Sequence, residues 1–379
     1  MSTRAPKVVK SSGSNLFEAK DVADACGVLG AKPGKLIYET NGENAQMSEE
    51  ALKAIKLAKK AKSDWAVKVY TLFCLSFGAA MWASFQDMIP VMSWERMSLE
   101  SVLWVSDSLA DNIHVPFFLS ALYVVTVFGI QAAMKDRKAF DLRTALAVWS
   151  MGLAVFSIVG SLRTVPALFK MLSSRGVYHV LCEDTRYEWL VGEPAGAWTV
   201  LFIYSKVPEL VDTLFIVLRK SKLITLHWYH HITVMLFCWH SFATLCMNGV
   251  IFAAMNLTVH AFMYFFYALT ALGYRPTKYA MGITLIQILQ MVVGTAVTVY
   301  VNVQQRLGSV SLESTNGDWL NVTWDKFSPA ETGSGTCETV HPASALSGLA
   351  MYASYLWLFC TFFYYTYFAK SKSTKAKAE

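Results

Sequence analysis

Residues 206–231 read KVPELVDTLFIVLRKSKLITLHWYHH and connect two long apolar segments that carry several ionisable side chains. The first segment contains Lys206, Glu209 and Asp212, and the second begins with three histidines. Both segments reach the roughly 20 mainly apolar residues that a membrane-spanning helix needs. An ionisable side chain at the bilayer centre costs about 2.5–3.5 kcal/mol on insertion scales, so such groups face a protein interior and mark functional sites. The stretch therefore predicts two spanning helices that share a polar site.

The composition of the whole chain is that of an integral membrane protein. Of its 379 residues, 54% are hydrophobic and 16% are charged, whereas about 25% are charged in ordinary soluble domains. So few charges cannot coat the two or three soluble domains that this length would otherwise indicate. The composition also excludes a disordered chain, a collagen and a disulfide-stapled miniprotein.

Eight segments are predicted to span the membrane, because each is apolar over about 20 residues. They are residues 66–86, 114–133, 144–165, 197–219, 223–243, 249–272, 279–303 and 345–369. Lys and Arg cluster in alternate connections, which places both termini in the cytoplasm under the positive-inside rule. The net charge of +6 is then mostly a topology signal, and a nucleic-acid patch is disfavoured.

The N-terminal part of the chain allows two interpretations. Because Lys68 interrupts the first segment near its start, that segment is either a true span or a re-entrant or surface segment. The second alternative leaves seven spans and a lumenal N-terminus. Residues 49–62 have the pattern of a short basic amphipathic helix on the membrane surface, or of a solvated charged helix.

Several signals agree with this topology. Asn321 begins a glycosylation sequon in a predicted lumenal loop. Cys182 and Cys337 also fall in lumenal loops, where an oxidising compartment permits a disulfide; two unbonded thiols are the alternative. Lys375 and Lys377 match the dilysine retrieval pattern of endoplasmic-reticulum proteins, although short basic tails are common.

The polar side chains inside the predicted spans share helix faces. Lys206, Glu209 and Asp212 follow at steps of three and lie within about 120° of arc, and Lys206 is placed to pair with Glu209. His227, at the start of HWYHH, lies with the two later histidines of that motif within about 100° of one face. We interpret the three helices from residue 197 to residue 272 as the walls of a reaction site.

Three kinds of chemistry fit these residues. Di-iron chemistry needs more histidines at one membrane face than this chain offers, but a single zinc held by three histidines stays open. A neutral imidazole is also able to accept an acyl group from a thioester, and its neighbours to move protons. A transporter is the non-enzymatic alternative, and the lack of a visible internal repeat disfavours it.

Four ordered motifs resemble those of the very-long-chain fatty acid elongases, the 3-ketoacyl-CoA synthases of the endoplasmic reticulum membrane. They are KVPELVDTLFIVLRK at 206–220, HWYHH at 227–231, NLTVHAFMY at 256–264 and TLIQILQ at 284–290. FLSALY at 118–123 and LAVFS at 153–157 are similar to the branch acting on saturated and monounsaturated long-chain acyl-CoA. The resemblance runs from about residue 117 to the C-terminus.

The resemblance implies an all-α fold, a polytopic membrane bundle with a seven-helix elongase core around an acyl tunnel. The chain departs from the family's seven spans and lumenal N-terminus by one extra N-terminal span. Residues 1–100 are then an N-terminal extension with a cytoplasmic tail, and residues 101–379 are the elongase membrane domain.

It also implies the reaction, which is the condensation of malonyl-CoA with a long-chain acyl-CoA to give 3-ketoacyl-CoA, CO2 and CoA. We expect a ping-pong mechanism through an acyl-imidazole on His230. His227, His231 and His260 would orient the nucleophile or move protons, and Asp212 would fix a histidine tautomer. The expected substrate contacts are Lys206, Glu209, Arg219, Lys220, Asn256, Tyr264, Gln287 and Gln290.

The resemblance implies no metal and no cofactor beyond the CoA thioesters. The expected partners are the bilayer and the ketoacyl reductase, dehydratase and enoyl reductase of the elongation cycle. No nucleic acid is expected, and a homodimer stays open. The expected location is the endoplasmic reticulum membrane, with the C-terminus in the cytoplasm.

Overall fold

The computed structural model of the chain is an all-α bundle, which confirms the predicted fold class. It describes residues 9–10, 16–17, 37–41, 44–47, 49–246, 248–307, 337 and 339–369. Two short antiparallel hairpins precede the bundle. In the first, β1 (Val9–Lys10) pairs with β2 (Leu16–Phe17), and in the second, β3 (Ile37–Asn41) pairs with β4 (Asn44–Met47).

The bundle consists of α-helices. Within the described residues they are α1 (Glu49–Phe85), α2 (Leu99–Asp111), α3 (Val115–Ala133), α4 (Arg143–Cys182), α5 (Pro194–Ser205), α6 (Val211–Leu218), α7 (Thr225–Ala243), α8 (Gly249–Ala271), α9 (Thr277–Leu307) and α10 (Pro342–Phe363). Short 3₁₀ turns lie at Ser93–Glu95 and Pro208–Leu210, and π-turns at Arg186–Leu190 and Tyr364–Ala369. Proline in the first turn begins α3, α5 and α10, where its missing N–H costs nothing.

Six helices of the described chain are long and apolar enough to cross a membrane. They are Ile55–Phe85, Val115–Ala133, Arg143–Cys182, Gly249–Ala271, Thr277–Gln305 and Pro342–Ala369. Two of the eight predicted spans differ from these. Residues 197–219 form α5 and α6 rather than one helix, because Pro208 has no N–H to continue the ladder. Residues 223–243 form α7, whose four histidines lower its mean hydropathy.

The N-terminal segment is a single helix rather than two pieces. Residues 49–62, predicted as a separate surface or solvated helix, continue without a break into the first predicted span to form α1. This helix packs against α8 through Tyr70, whose hydroxyl donates to the carbonyl of Phe262 at 2.9 Å. Phe73 stacks on Phe265, with ring centroids 4.1 Å apart. These contacts attach α1 to the outer face of α8.

One close helix contact depends on a glycine. A Cβ added at Gly294 in α9 would lie 2.3 Å from the ring of Tyr352 in α10. Because this approach leaves no space for a methyl group, glycine lets the Tyr352 ring lie flat against α9.

One end of the bundle is held together by the bond between Cys182 and Cys337, and we call it the disulfide end. Nearby, the Glu95 carboxylate accepts hydrogen bonds from Arg163 Nε at 2.8 Å and Trp198 Nε1 at 2.7 Å. Glu95 is 1% exposed. The connection between α1 and α2 is therefore fixed to α4 and α5 by a buried ion pair.

Candidate active site

The site is built around the break between α5 and α6. Lys206 ends α5, and its backbone N–H bonds back to the carbonyl of Ile203 in a tight last turn. Irregular backbone at membrane depth is tolerated only where it is buried in protein or lines a cavity. The break therefore places the Lys206 and Glu209 side chains inside the bundle, where they are 2% and 3% exposed.

A continuous polar network runs from this break to α8. Lys206 Nζ donates to Glu209 Oε1 at 2.7 Å, which confirms the predicted pair, and Ser205 Oγ donates to the same oxygen at 2.8 Å. The ammonium also lies 3.3 Å from Asn256 Oδ1. Asn256 Nδ2 is 3.2 Å from Nε2 of His260 and is the donor there, since an amide nitrogen has no lone pair to offer. The network therefore leads from a carboxylate to an imidazole.

Asp212 lies next to this network and has partners that the sequence did not predict. Its carboxylate accepts from Trp149 Nε1 at 2.6 Å and from the Tyr264 hydroxyl at 2.7 Å. No hydrogen bond joins it to a histidine among the described residues, so these contacts give no support to the expectation that it fixes a histidine tautomer. It instead fixes Tyr264, whose ring lies 5.2 Å from that of His260.

The three histidines of HWYHH lie together at the start of α7. The His227 and His231 ring centroids are 4.5 Å apart, and those of His230 and His231 are 5.7 Å apart. His227 Nε2 is 2.9 Å from the Thr213 hydroxyl. His230 lies 4.9 Å from the ring of Tyr355, which also donates to the His230 carbonyl. The helical spacing that predicted one shared face therefore brings these rings together.

His230 lines an apolar cavity that extends along α7. The cavity is bounded by side chains of α5, α7, α8, α9 and α10, and its polar neighbours near His230 are Asn256 and Gln290. Phe242, 12 residues beyond His230, also lines the cavity. At 1.5 Å per residue, this separation corresponds to about 18 Å along the helix axis. The mostly apolar residues that line the cavity thus extend about 18 Å along α7 from His230.

The remaining predicted site residues lie farther out or have other partners. Lys220 is exposed, and its ammonium donates to the carbonyls of Lys135 and Arg137, so it ties two chain connections together. Arg219 is partly exposed beside it. Gln287 Nε2 lies 3.2 Å from the sulfur of Met263. Asn321 lies outside the described residues.

No sequence pattern singled out Trp149 as a site residue, and none gave a role to Tyr123, Thr213 or Tyr355. Each offers a single hydroxyl or indole N–H, and such groups occur throughout apolar helices, so residue type alone does not distinguish them. In the part of the chain that the structure describes, no group of three or more His, Cys, Asp or Glu side chains is placed to hold a metal ion.

Most of the chain is similar in sequence to one known protein family. The model of the ELO: GNS1/SUR4 family matches residues 108–375. The chain belongs to the ELO family. Tyr123, Trp149 and the whole polar cluster lie within the matched residues, whereas α1 lies outside them.

Individual relatives cover most of the chain and nearly all of their own length. Very long chain fatty acid elongase 6 of Gallus gallus is 39% identical over 279 residues, 73% of this chain and 91% of that protein. The protein of the same name from Homo sapiens is 38% identical over 281 residues, 74% of this chain and 92% of its own. Fatty acid elongase 2 of Trypanosoma brucei brucei is 34% identical over 275 residues, which are 70% of this chain and 93% of that protein. Similarity to elongase 6 agrees with the branch that the sequence predicted.

Proposed function

We propose that this ELO-family enzyme condenses malonyl-CoA with saturated and monounsaturated long-chain acyl-CoA, giving 3-ketoacyl-CoA, CO2 and CoA. The chain is an acyl-CoA condensing enzyme, a 3-ketoacyl-CoA synthase, and it acts within the membrane. The observation that carries the proposal is the position of His230 on the wall of an apolar cavity that Asn256 and Gln290 also line. An acyl chain would lie along the cavity, with its thioester at the imidazole.

The reaction would proceed in two half-reactions through His230. The imidazole attacks the thioester carbonyl, the carbon–sulfur bond breaks, and CoA leaves with the proton that the imidazole loses. Malonyl-CoA then binds and loses CO2, and the resulting enolate carbon attacks the acyl-imidazole. A new carbon–carbon bond forms, the bond between the acyl carbon and the imidazole nitrogen breaks, and the released imidazole takes up a proton from water. Such covalent catalysis divides one difficult condensation into two easier steps.

The surrounding groups would orient the nucleophile and stabilise charge. The His231 ring lies beside that of His230, and the His227 ring lies beside that of His231. His260 is oriented by Asn256, which is itself held by the Lys206 ammonium. Such fixed donors stabilise the oxyanion that develops on the attacked carbonyl without reorganising during the reaction.

We propose that Arg219, rather than Lys206 or Lys220, contacts the phosphates of CoA. Lys206 is occupied by Glu209 and Asn256, and Lys220 by two backbone carbonyls. Arg219 is partly exposed where α6 ends, and a guanidinium matches phosphate geometry. Glu209, Tyr264, Gln287 and Gln290 would complete the polar surroundings of the substrates.

Several broader assignments belong to the same proposal. Residues 1–100 would be an extension of an elongase domain at 101–379, in the endoplasmic reticulum membrane with the C-terminus in the cytoplasm. The ketoacyl reductase, dehydratase and enoyl reductase of the elongation cycle would be partners, and a homodimer is compatible with this role. The reaction as written balances with the two CoA thioesters and no further cofactor.

The test uses the full chain purified in detergent with palmitoyl-CoA and malonyl-CoA. We expect mass spectrometry to detect the 3-ketoacyl-CoA two carbons longer than palmitoyl, together with CO2 in equal amount. Initial rates at several concentrations of both substrates should give the parallel double-reciprocal lines of a ping-pong reaction. Absence of both products from folded protein would contradict the function, whereas intersecting lines would contradict only the acyl-enzyme route.

A further inference from the structure

Two hydroxyl groups, those of Tyr123 and Thr213, form a chain of hydrogen bonds that ends at His227. The Tyr123 hydroxyl in α3 lies 2.7 Å from Oγ1 of Thr213 in α6, and that oxygen lies 2.9 Å from Nε2 of His227 in α7. Thr213 is fully buried and Tyr123 is 5% exposed. Three helices therefore each contribute one group to a single line of hydrogen bonds.

The direction of the protons along this line follows from counting donors and acceptors. Each hydroxyl has one proton to give, and a neutral imidazole has one donor and one acceptor nitrogen. If Tyr123 donates to Thr213 and Thr213 donates to Nε2, both hydroxyl protons are used. In the reverse direction the phenol proton has no acceptor among the described residues, and a buried unsatisfied donor costs about 1–3 kcal/mol. In the forward direction the donor without a partner among the described residues is the Nδ1–H of His227, and that residue is partly exposed. The forward direction is therefore favoured, because it leaves no fully buried donor unsatisfied.

We propose that Tyr123 and Thr213 are positioning residues that hold His227 in the tautomer with its proton on Nδ1. Because Nε2 accepts from Thr213, the ring is unable to rotate or move its proton to Nε2 without breaking that hydrogen bond. His227 thus presents one fixed face to His231, whose ring lies 4.5 Å away. This arrangement gives Thr213 the task that the sequence assigned to its neighbour Asp212.

This inference rests on the proposed function, since it assigns His227 a fixed form within the condensing site. A purely structural role makes a different prediction. If the two hydroxyls only fastened α3 to α6, their removal would lower stability and leave the turnover of folded enzyme unchanged. Positioning through His227 instead lowers turnover in protein that is still folded.

The experiment compares Thr213→Val, which keeps the side-chain shape and removes the hydroxyl, with Thr213→Ser, which keeps the hydroxyl. We expect Thr213→Val to lower kcat by about 10- to 100-fold, as loss of catalytic geometry commonly does, with KM for both CoA substrates nearly unchanged. Thr213→Ser should restore most of the turnover. Tyr123→Phe should show a smaller loss than Thr213→Val, because Thr213 is then still able to donate to His227.

The matched control is Thr258→Val, which breaks another pair of hydroxyls between two helices, since Thr258 lies 2.7 Å from Ser161 in a partly buried position. It should leave kcat at the wild-type level. Thermal unfolding of each variant establishes that the protein measured is folded, and Tyr123→Phe carries the test if Thr213→Val does not fold.

Wild-type kcat in folded Thr213→Val, or in Tyr123→Phe where that variant carries the test, would overturn the inference. Equal loss in Thr213→Val and Thr213→Ser would also overturn it. An inactive wild-type enzyme would instead overturn the proposed function itself.

Discussion

At the residue scale, the ion pair of Lys206 and Glu209 holds two charges inside the bundle. Replacing Lys206 by Met leaves the carboxylate of Glu209 without its cation. Removing one partner of a buried pair costs about 3–5 kcal/mol, because an uncompensated charge remains. We therefore expect Lys206→Met to lower the unfolding temperature in detergent strongly. The double variant Lys206→Met/Glu209→Leu should recover much of this loss, and a double variant less stable than Lys206→Met would contradict the explanation.

Glu95 carries a buried carboxylate near the disulfide end of the bundle. Burial acts to raise the pKa of Glu95, but donors from Met92, Trp198 and Arg163 hold that pKa below its ordinary value of 4.5. A carboxyl group whose pKa is lower in the folded state stabilises the fold above its ordinary pKa. This stabilisation is lost as the pH falls through the lowered value.

Unfolding temperatures measured against pH for wild type and Glu95→Gln test this sign. We expect wild type to be the more stable near pH 7 and the difference between the two to shrink below about pH 4.5, the ordinary value for this group. Comparing the two proteins removes the contribution of other carboxylates. A difference that is constant with pH, or that grows towards acid, would contradict the account.

Some residues of the candidate site can be predicted from the sequence, and others cannot. Spacing along α7 and the cost of charge in lipid were enough to find the histidines and the Lys206–Glu209 pair. The partners of Asp212 were not predicted, because they come from α4 and α8, which lie far away in sequence. Trp149 and Tyr264 approach Asp212 only through helix packing, and no local spacing encodes that contact.

At the scale of elements, α9 and α10 approach closely enough to set the shape of the cavity. Tyr352 lines the cavity and leaves no space for a Cβ at Gly294. We expect Gly294→Ala to push the ring towards the cavity and to lower kcat/KM more for long than for short acyl-CoA. Gly282→Ala on the same helix is the control, since its added Cβ meets nothing within 4 Å. An unchanged chain-length preference in Gly294→Ala would contradict the role given to Tyr352.

Elements that follow a simple hydrophobic pattern were predicted correctly, and the exceptions have local causes. The long apolar runs of α3, α8, α9 and α10 are helices where the sequence placed them. The segment 197–219 is broken because Pro208 stands within it, although its average hydropathy resembles that of a continuous span. The sequence placed α2 in a connection, because a 13-residue helix is too short to be read as a span.

At the scale of the whole molecule, the fold places the histidines of HWYHH and the polar network around Lys206 close to one apolar cavity, which His230 and Asn256 line. The family match covers 108–375, and α1 adds an outer helix that packs on α8 through Tyr70. Because α8 carries Asn256 and His260, the added helix supports the element that holds part of the polar network. Composition predicts the membrane class, whereas the closed arrangement around His230 depends on tertiary packing.

The central claim is that His230 carries the acyl group, and intact mass of the purified protein after incubation with palmitoyl-CoA alone tests it most directly. Wild type should gain the mass of one palmitoyl group, in a form that hydroxylamine removes. His240→Ala, altered on the same helix about three turns farther along, should gain the same mass, and His230→Ala should gain none. Wild type that stays unmodified yet forms 3-ketoacyl-CoA once malonyl-CoA is added would contradict the claim, as would a fully acylated and active His230→Ala variant.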